Sequence, residues 1–146
     1  MKIKQLSLFL ENKPGSMSVP CRVLSKAGIN LITLTLADTQ QFGILRIIVQ
    51  DCDKAQAVLQ KAGCVAKVTE VLAVEVPDRP GGLVEILDAV EKTGINVEYM
   101  YAFTLKKEDK GVLVFRFDDP DKAIKTLKAK KINIIDEVEL FKRLKG

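Results

Sequence analysis

Apolar and polar residues alternate strictly in two stretches of the chain: Leu6, Leu8 and Leu10 share one parity, and Leu72, Val74 and Val76 repeat it 66 positions later. Period two sets one face of a strand against a core. Each stretch runs into a Pro-Gly turn, Asn12-Lys13-Pro14-Gly15 or Asp78-Arg79-Pro80-Gly81, and there the period changes. Met17, Pro20, Cys21 and Leu24 follow an i, i+3, i+4, i+7 stripe, matched by Leu83, Ile86, Leu87 and Val90, so each turn leads into an amphipathic helix. Pro20 predicts a late or irregular start for the first helix, because a missing N–H costs little only near the opening turn. Gly28 and Gly94 follow the two helices directly and suit the left-handed position that ends a helix. Strands resume at 30–37 and 96–105. Their inward faces disagree, Ile32 matching Glu98 and Thr33 matching Tyr99, which predicts a bulge or a change of exposed face.

The next strand repeats with an offset of 68, Leu45, Ile47 and Val49 against Leu113, Phe115 and Phe117, so two residues are inserted in the polar turn Lys106-Lys107-Glu108-Asp109-Lys110. Second helices follow, carrying Ala55, Val58, Leu59 and Ala62 in one copy and Ala123, Ile124 and Leu127 in the other. Asp119 before Pro120 is a cap and first-turn pair. Final strands near 64–68 and 132–140 close each copy. The order strand, helix, strand, strand, helix, strand, twice over, is the ferredoxin-like βαββαβ pattern. The expected fold is therefore α+β, with two units in tandem at 1–68 and 69–146, each an antiparallel sheet with helices on one face. A short polar connection at Lys67 to Glu70 separates them, which predicts sheets packed side by side.

Composition narrows the classes. The chain has 47% hydrophobic and 29% charged residues, and no apolar run approaches the roughly 18 residues that span a bilayer. With no signal-peptide layout near Met1, a cytoplasmic protein without a membrane partner is expected. Three cysteines, Cys21, Cys52 and Cys64, are odd in number and lack Cys-x-x-Cys spacing, so they read as small core residues rather than a disulfide framework or a zinc site. Histidine is absent, which removes the commonest general base and every Ser-His or Cys-His nucleophile. No catalytic residue, metal or cofactor is assigned. Lys128, Lys130, Lys131, Lys142, Arg143 and Lys145 concentrate the net charge of +4, but without interleaved aromatics they read as a solvated face rather than a nucleic-acid surface.

The repeated motif carries the candidate chemistry. A helix beginning at the Pro-Gly turn presents unpaired N–H groups and the positive end of its dipole, which favour a carboxylate or phosphate. Gly15, Ser16 and Met17, or Gly81, Gly82 and Leu83, would supply the donors, and the Ser16 hydroxyl could cap the helix. Such a turn is also ordinary strand-to-helix punctuation. Asn30 and Asn96 each follow Gly-Ile, where an amide can accept from an ammonium group and donate to a carboxylate, or simply bond the turn backbone. Nucleotide-binding glycine fingerprints are missing. Lys110-Gly111-Val112-Leu113-Val114-Phe115-Arg116-Phe117 superficially resembles the third-strand signature of RNA-recognition motifs. Val112 and Val114 occupy its stacking positions, however, and Phe115 and Phe117 read as core.

With this element order, the turn Asp78-Arg79-Pro80-Gly81-Gly82-Leu83 and the later Gly94-Ile95-Asn96, the chain resembles the ACT domain family of regulatory amino-acid-binding modules. The resemblance covers essentially the whole chain as two copies. It implies an effector site between ACT units, where the first loop of one faces the early second strand of a neighbour. The matching loop positions are Asn12, Gly15, Ser16 and Met17, and Asp78, Gly81, Gly82 and Leu83. On the strand side they are Asn30, Leu31 and Ile32, and Asn96, Val97 and Glu98. Asn12 stands where the family's turn is acidic, so equivalence of the two sites does not carry over. The leading expectation is a non-catalytic amino-acid sensor, its ligand largely apolar in side chain given Met17, Leu83, Leu31 and Val97. Alternatives are a regulatory or scaffold subunit that recruits an amino-acid biosynthetic enzyme without its own ligand, and an RNA-binding module. Free sheet edges predict a homodimer.

Overall fold

The computed structural model describes residues 1–107 and 109–145, excepting the side chains at 104–107 and 144–145. Contacts divide it into two compact units, a first of Lys4–Thr69 and a second of Met1–Ile3 with the residues from Glu70 on. In the first unit β1 (Ile3–Glu11), α1 (Ser18–Lys26), β2 (Thr33–Asp38), β3 (Phe42–Ile48) and α2 (Cys52–Lys61) follow in order. β3 pairs antiparallel with both β1 and β2. Leu6, Leu8, Leu45 and Ile47 point from one sheet face into a core shared with Leu24, Ala55 and Leu59 of the helices. The α1 helix starts late, as Pro20 predicts: its cap is Met17, no side chain caps it, and the Ser16 hydroxyl does not serve.

β4 (Ala66–Pro77) begins in the first unit and passes into the second at Glu70, where α3 (Gly82–Glu91), β5 (Val97–Lys107), β6 (Lys110–Phe117), α4 (Pro120–Ala129), β7 (Ile134–Ile135) and α5 (Glu137–Lys145) follow. β4 pairs with β6 and β7, and β6 with β5, all antiparallel, giving the order β7-β4-β6-β5. Leu72, Val74, Phe115 and Phe117 meet Ile86, Val90, Ala123 and Leu127 in its core, and the two phenylalanine rings stack at 5.2 Å. A register shift between Val97 and Tyr99 is the expected bulge. Asp119 accepts from the Lys122 N–H and Pro120 opens α4. The predicted polar turn at Lys106 to Lys110 includes Glu108, which lies outside the described residues.

Two expected element boundaries are corrected. Lys67 to Glu70 form no connection but lie within β4, because residues 66–77 contain no turn former before Pro77. The final strand expected at 132–140 is only the two residues of β7, after which α5 begins. Asp136 stops the strand by capping that helix: its side chain accepts the Glu139 N–H at 2.8 Å and its carbonyl accepts the Leu140 N–H at 2.9 Å.

The α5 helix lies over the sheet face opposite α3 and α4. Alternation places Ala73, Glu75, Val112 and Val114 on that face, and Arg143 reaches Glu75 at 2.8 Å while also holding Glu139 at 2.8 Å. Arg143 thus departs from the solvated basic face expected of it, its side chain being only 14% exposed. Lys128, Lys130, Lys131 and Lys142 are exposed as expected. Burial alone would push the Glu75 carboxyl up, but hydrogen bonds from Arg143, Asn133 and Lys110 outweigh it and hold the group below its ordinary 4.5. A depressed carboxyl contributes stability that is fully present above its unfolded value and is lost as pH falls through the lower folded one. The anchorage of α5 is therefore expected to hold at neutral pH and loosen only in acid, below the ordinary carboxylate range. Hydrogen exchange at the Leu140 amide, corrected for intrinsic rate, should accelerate on acidification in the native chain, and Glu75→Gln should show the faster exchange already at neutral pH.

Candidate functional site

The two turns are built alike. Lys13 N–H donates to Glu11 and Arg79 N–H to Pro77, both at 2.9 Å; Ser16 N–H donates to Lys13 at 3.3 Å and Gly82 N–H to Arg79 at 3.1 Å. Gly15 at φ +87° and Gly81 at φ +88° occupy the left-handed region, as do Gly28 at +72° and Gly94 at +75° at the far ends of the helices. The middle donor of each proposed anion cradle, Ser16 or Gly82, is thus engaged inside its own turn. Asn12 ties its loop to the β2–β3 hairpin, its N–H donating to the Gln41 carbonyl at 2.8 Å and its Nδ2 to that of Gln40 at 2.9 Å. Asp78 N–H makes the matching bond to Asp109 at 2.7 Å.

The helix starts then diverge. Gly82 is the first residue of α3, and a Cβ built on it would stand 2.2 Å from the Pro77 carbonyl oxygen. Ser16 at the matching place carries a side chain, and α1 begins only at Ser18. Met17 and Leu83 are half-buried against their respective cores. Glu85 lies in the first turn of α3, bound by Arg79 at 2.9 Å, whereas α1 has no acid in its first turn. The positive end of α3 therefore has a carboxylate of its own, and that of α1 does not.

Asn30 and Asn96 lie at the opposite ends of α1 and α3 from the turns. With nine residues in α1, about 13 Å separates its two ends, so a single unit cannot apply both motifs to a zwitterion whose charged groups are one carbon apart. Asn30 is exposed, and its amide makes no hydrogen bond among the described residues. Beside it an open depression of ≈ 400 Å³ is lined by Cys21, Ser25, Gly28, Ile29, Asn30 and Leu31. Ile32 is not in that lining; its N–H donates to the Ile48 carbonyl at 2.9 Å. Every lining side chain is uncharged, and the negative end of the α1 dipole points there, which suits an ammonium group. Cys21, Ser25 and Ile29 escaped the sequence reading. Their signal was the i, i+4 spacing of Cys21 and Ser25 on the last turns of α1, leading into Gly28.

At the matching end of α3, the Asn96 N–H donates to Asp118 Oδ1 at 3.0 Å and its carbonyl accepts from the Asp118 N–H at 3.1 Å, while its side chain stays exposed. Val97 is half-buried, and Glu98 is paired with Arg116 at 3.4 Å. Among the described residues no group of three or more Cys, Asp or Glu could hold a metal ion, and no helix is long and apolar enough to cross a membrane.

The family model described as an ACT domain pair matches residues 1–144. Among solved structures, protein BT0572 from Bacteroides thetaiotaomicron is 39% identical with a TM-score of 0.89, the match covering 97% of each chain. The fold alone is shared with the regulatory subunit of aspartate kinase from Thermus thermophilus, at 15% identity, TM-score 0.59 and coverage of 86% of this chain and 90% of that one. Its counterpart from Thermus flavus gives 18%, 0.60, 86% and 88%. No curated protein sequence matches.

Proposed function

This chain belongs to the ACT domain pair family, and we propose that it is a regulatory protein that binds an amino acid without catalysing its conversion. The observation that carries this reading is the uncharged depression at Asn30, where an amide with no hydrogen-bond partner among the described residues meets the negative end of a helix. The ligand's ammonium would sit there and its aliphatic part against Ile29 and Leu31. Because the motifs of one unit stand at opposite ends of a helix, the carboxylate would be held by a Pro-Gly turn of another ACT unit, as the family resemblance implies. A turn supplied by a second copy of the chain would meet this need, which makes a homodimer part of the proposal. The units are taken as 1–68 and 69–146. Ligand bound to one of two arrangements more tightly than the other would shift their populations, and this is the means of regulation.

A ligand that binds only the folded chain stabilises it by about 2.7 kcal/mol at a hundredfold excess over Kd. For a chain of this size that raises Tm by roughly 5–10 °C. A melting screen across the standard amino acids is expected to find such a shift with at least one of them and none with its 2-hydroxy-acid counterpart.

One observation favours a second reading, a subunit that docks on a biosynthetic enzyme: in the first unit Phe9 is 74% exposed, with Phe42, Leu34 and Leu36 also open to solvent. Co-purification of an enzyme that Phe9→Ser abolishes would support it. RNA binding is disfavoured in the second unit because α5 lies over the face bearing Val112 and Val114, the face on which such a fold stacks bases.

A further inference from the structure

The tip of the β2–β3 hairpin is held in an uncommon turn. The Gln41 N–H donates to the Thr39 carbonyl at 3.0 Å across Gln40, whose φ is +70°. A hydrogen bond spanning one residue of positive φ makes this the rare, strained form of γ-turn. Glycine would hold it without cost, whereas the Cβ of glutamine opposes it. Backbone strain of this kind persists only where the surroundings over-determine it. Two sets of bonds do so here. Thr39 closes the hairpin, its N–H and Oγ1 both donating to the Phe42 carbonyl at 2.7 and 3.3 Å. Asn12, from the first Pro-Gly turn, clamps the strained residue itself: its Nδ2 donates to the Gln40 carbonyl at 2.9 Å and its N–H to the Gln41 carbonyl at 2.8 Å. The second unit keeps the backbone bond, Asp78 N–H to the Asp109 carbonyl at 2.7 Å, but an ionised aspartate side chain has no N–H to give.

We propose that Asn12 keeps this hairpin cocked, and that a carboxylate arriving at the first Pro-Gly turn releases it by taking the Asn12 amide. Resting on the amino-acid-binding reading, the inference deepens it by assigning how occupation of the site is transmitted. The carboxylate concerned belongs to a ligand whose ammonium sits at Asn30 of another copy. The amide has a second N–H, through which the carboxylate engages first. A hydrogen bond to an ionised acceptor is roughly twice as strong as one to a carbonyl, and the arriving charge repels the Gln40 and Gln41 oxygens. Without its side-chain clamp, Gln40 leaves the positive-φ region and the strain is relieved. Phe42, two residues on, opens β3, lies opposite Glu11 and shares a sheet face with Phe9, so the exposed apolar patch of the first unit changes shape. The switching element is thus the short turn at Gln40. Its own strain and the ligand bias it in the same direction, and Asn12 opposes both.

The test uses the intact chain and amide-resolved NMR, first without ligand. Asn12→Ala should accelerate hydrogen exchange at the Thr39 and Gln41 amides about tenfold, corrected for intrinsic rate. Gln40→Gly should raise Tm by roughly 2–4 °C, and combined with Asn12→Ala it should restore near-native exchange, because a turn without strain needs no clamp. Unchanged exchange in Asn12→Ala, or additive effects in the double variant, would overturn the clamp. The native chain is then titrated with each standard L-amino acid. One that binds should shift the Asn12 side-chain amide together with the Gln41 and Phe42 amides. Its carboxamide, which keeps the ammonium but lacks the carboxylate, should leave those three in place. A bound amino acid that does not move Gln41 and Phe42, or a carboxamide that moves them equally, would overturn the trigger while leaving the broader reading intact. Failure of every amino acid to bind, with the double-variant rescue observed, would overturn the broader reading and the trigger and uphold the clamp.

Discussion

Gly82→Ala is expected to destabilise the chain by about 3 kcal/mol, a large fraction of the roughly 5–15 kcal/mol available to a domain. The added methyl would stand 2.2 Å from the Pro77 carbonyl oxygen and 3.1 Å from Val76 Cγ2. The first of these is backbone, so relief requires the turn itself to move rather than a side chain to rotate. Gly81→Ala is the informative comparison. Its backbone is left-handed at φ +88°, yet a Cβ there meets nothing within 4 Å, so only the conformational penalty of about 1–2 kcal/mol applies. Urea denaturation should rank Gly82→Ala as the more damaging. The reverse order would show that conformation, not close approach, selects glycine in this turn.

Phe115→Ala is expected to cost about 4 kcal/mol. Its ring is fully buried, stacks on Phe117 at 5.2 Å, and sits on the middle strand of the β4-β6-β5 set, paired to Leu72 on one side and Met100 on the other. Removing it leaves a cavity walled by two strands that cannot close without losing ladder hydrogen bonds, which keeps the cost within the range of about 3–5 kcal/mol for such changes. Denaturant melts of the purified variant measure it directly, and a loss below about 1 kcal/mol would mean that this core is much looser than its burial indicates.

What could be read in the sequence was whatever local chemistry decides. Four glycines at the ends of the repeated helices take positive φ because a turn or a helix end demands it, and both β-strand faces follow period two, as at Leu72, Val74 and Val76. Pro20 announced the late start of α1, and Asp119-Pro120 the start of α4. The α5 helix was missed because Ile132, Ile134 and Ile135 carry a strand signal that obscured Asp136-x-x-Glu139, a cap whose acceptor closes on the Glu139 N–H. The continuity of β4 is hidden in the sequence because the polar residues Lys67, Thr69 and Glu70 read as a linker, although exposed strand positions are also polar.

The candidate site was legible only in part, for a different reason. Asn30 and Leu31 were named from the motif, but their companions Cys21 and Ser25 come from the helix before, and only folding sets that helix end beside them. How the last turns of a helix sit against the residues that follow it depends on packing, which no motif encodes.

The central claim is that this ACT domain pair binds an amino acid, and calorimetric titration of the intact, folded chain with each standard amino acid tests it most directly. Saturable binding of at least one of them, lost when its ammonium is replaced by hydroxyl, is the expected result. Featureless dilution heats for every amino acid, from protein shown to be folded in the same cell, would contradict it.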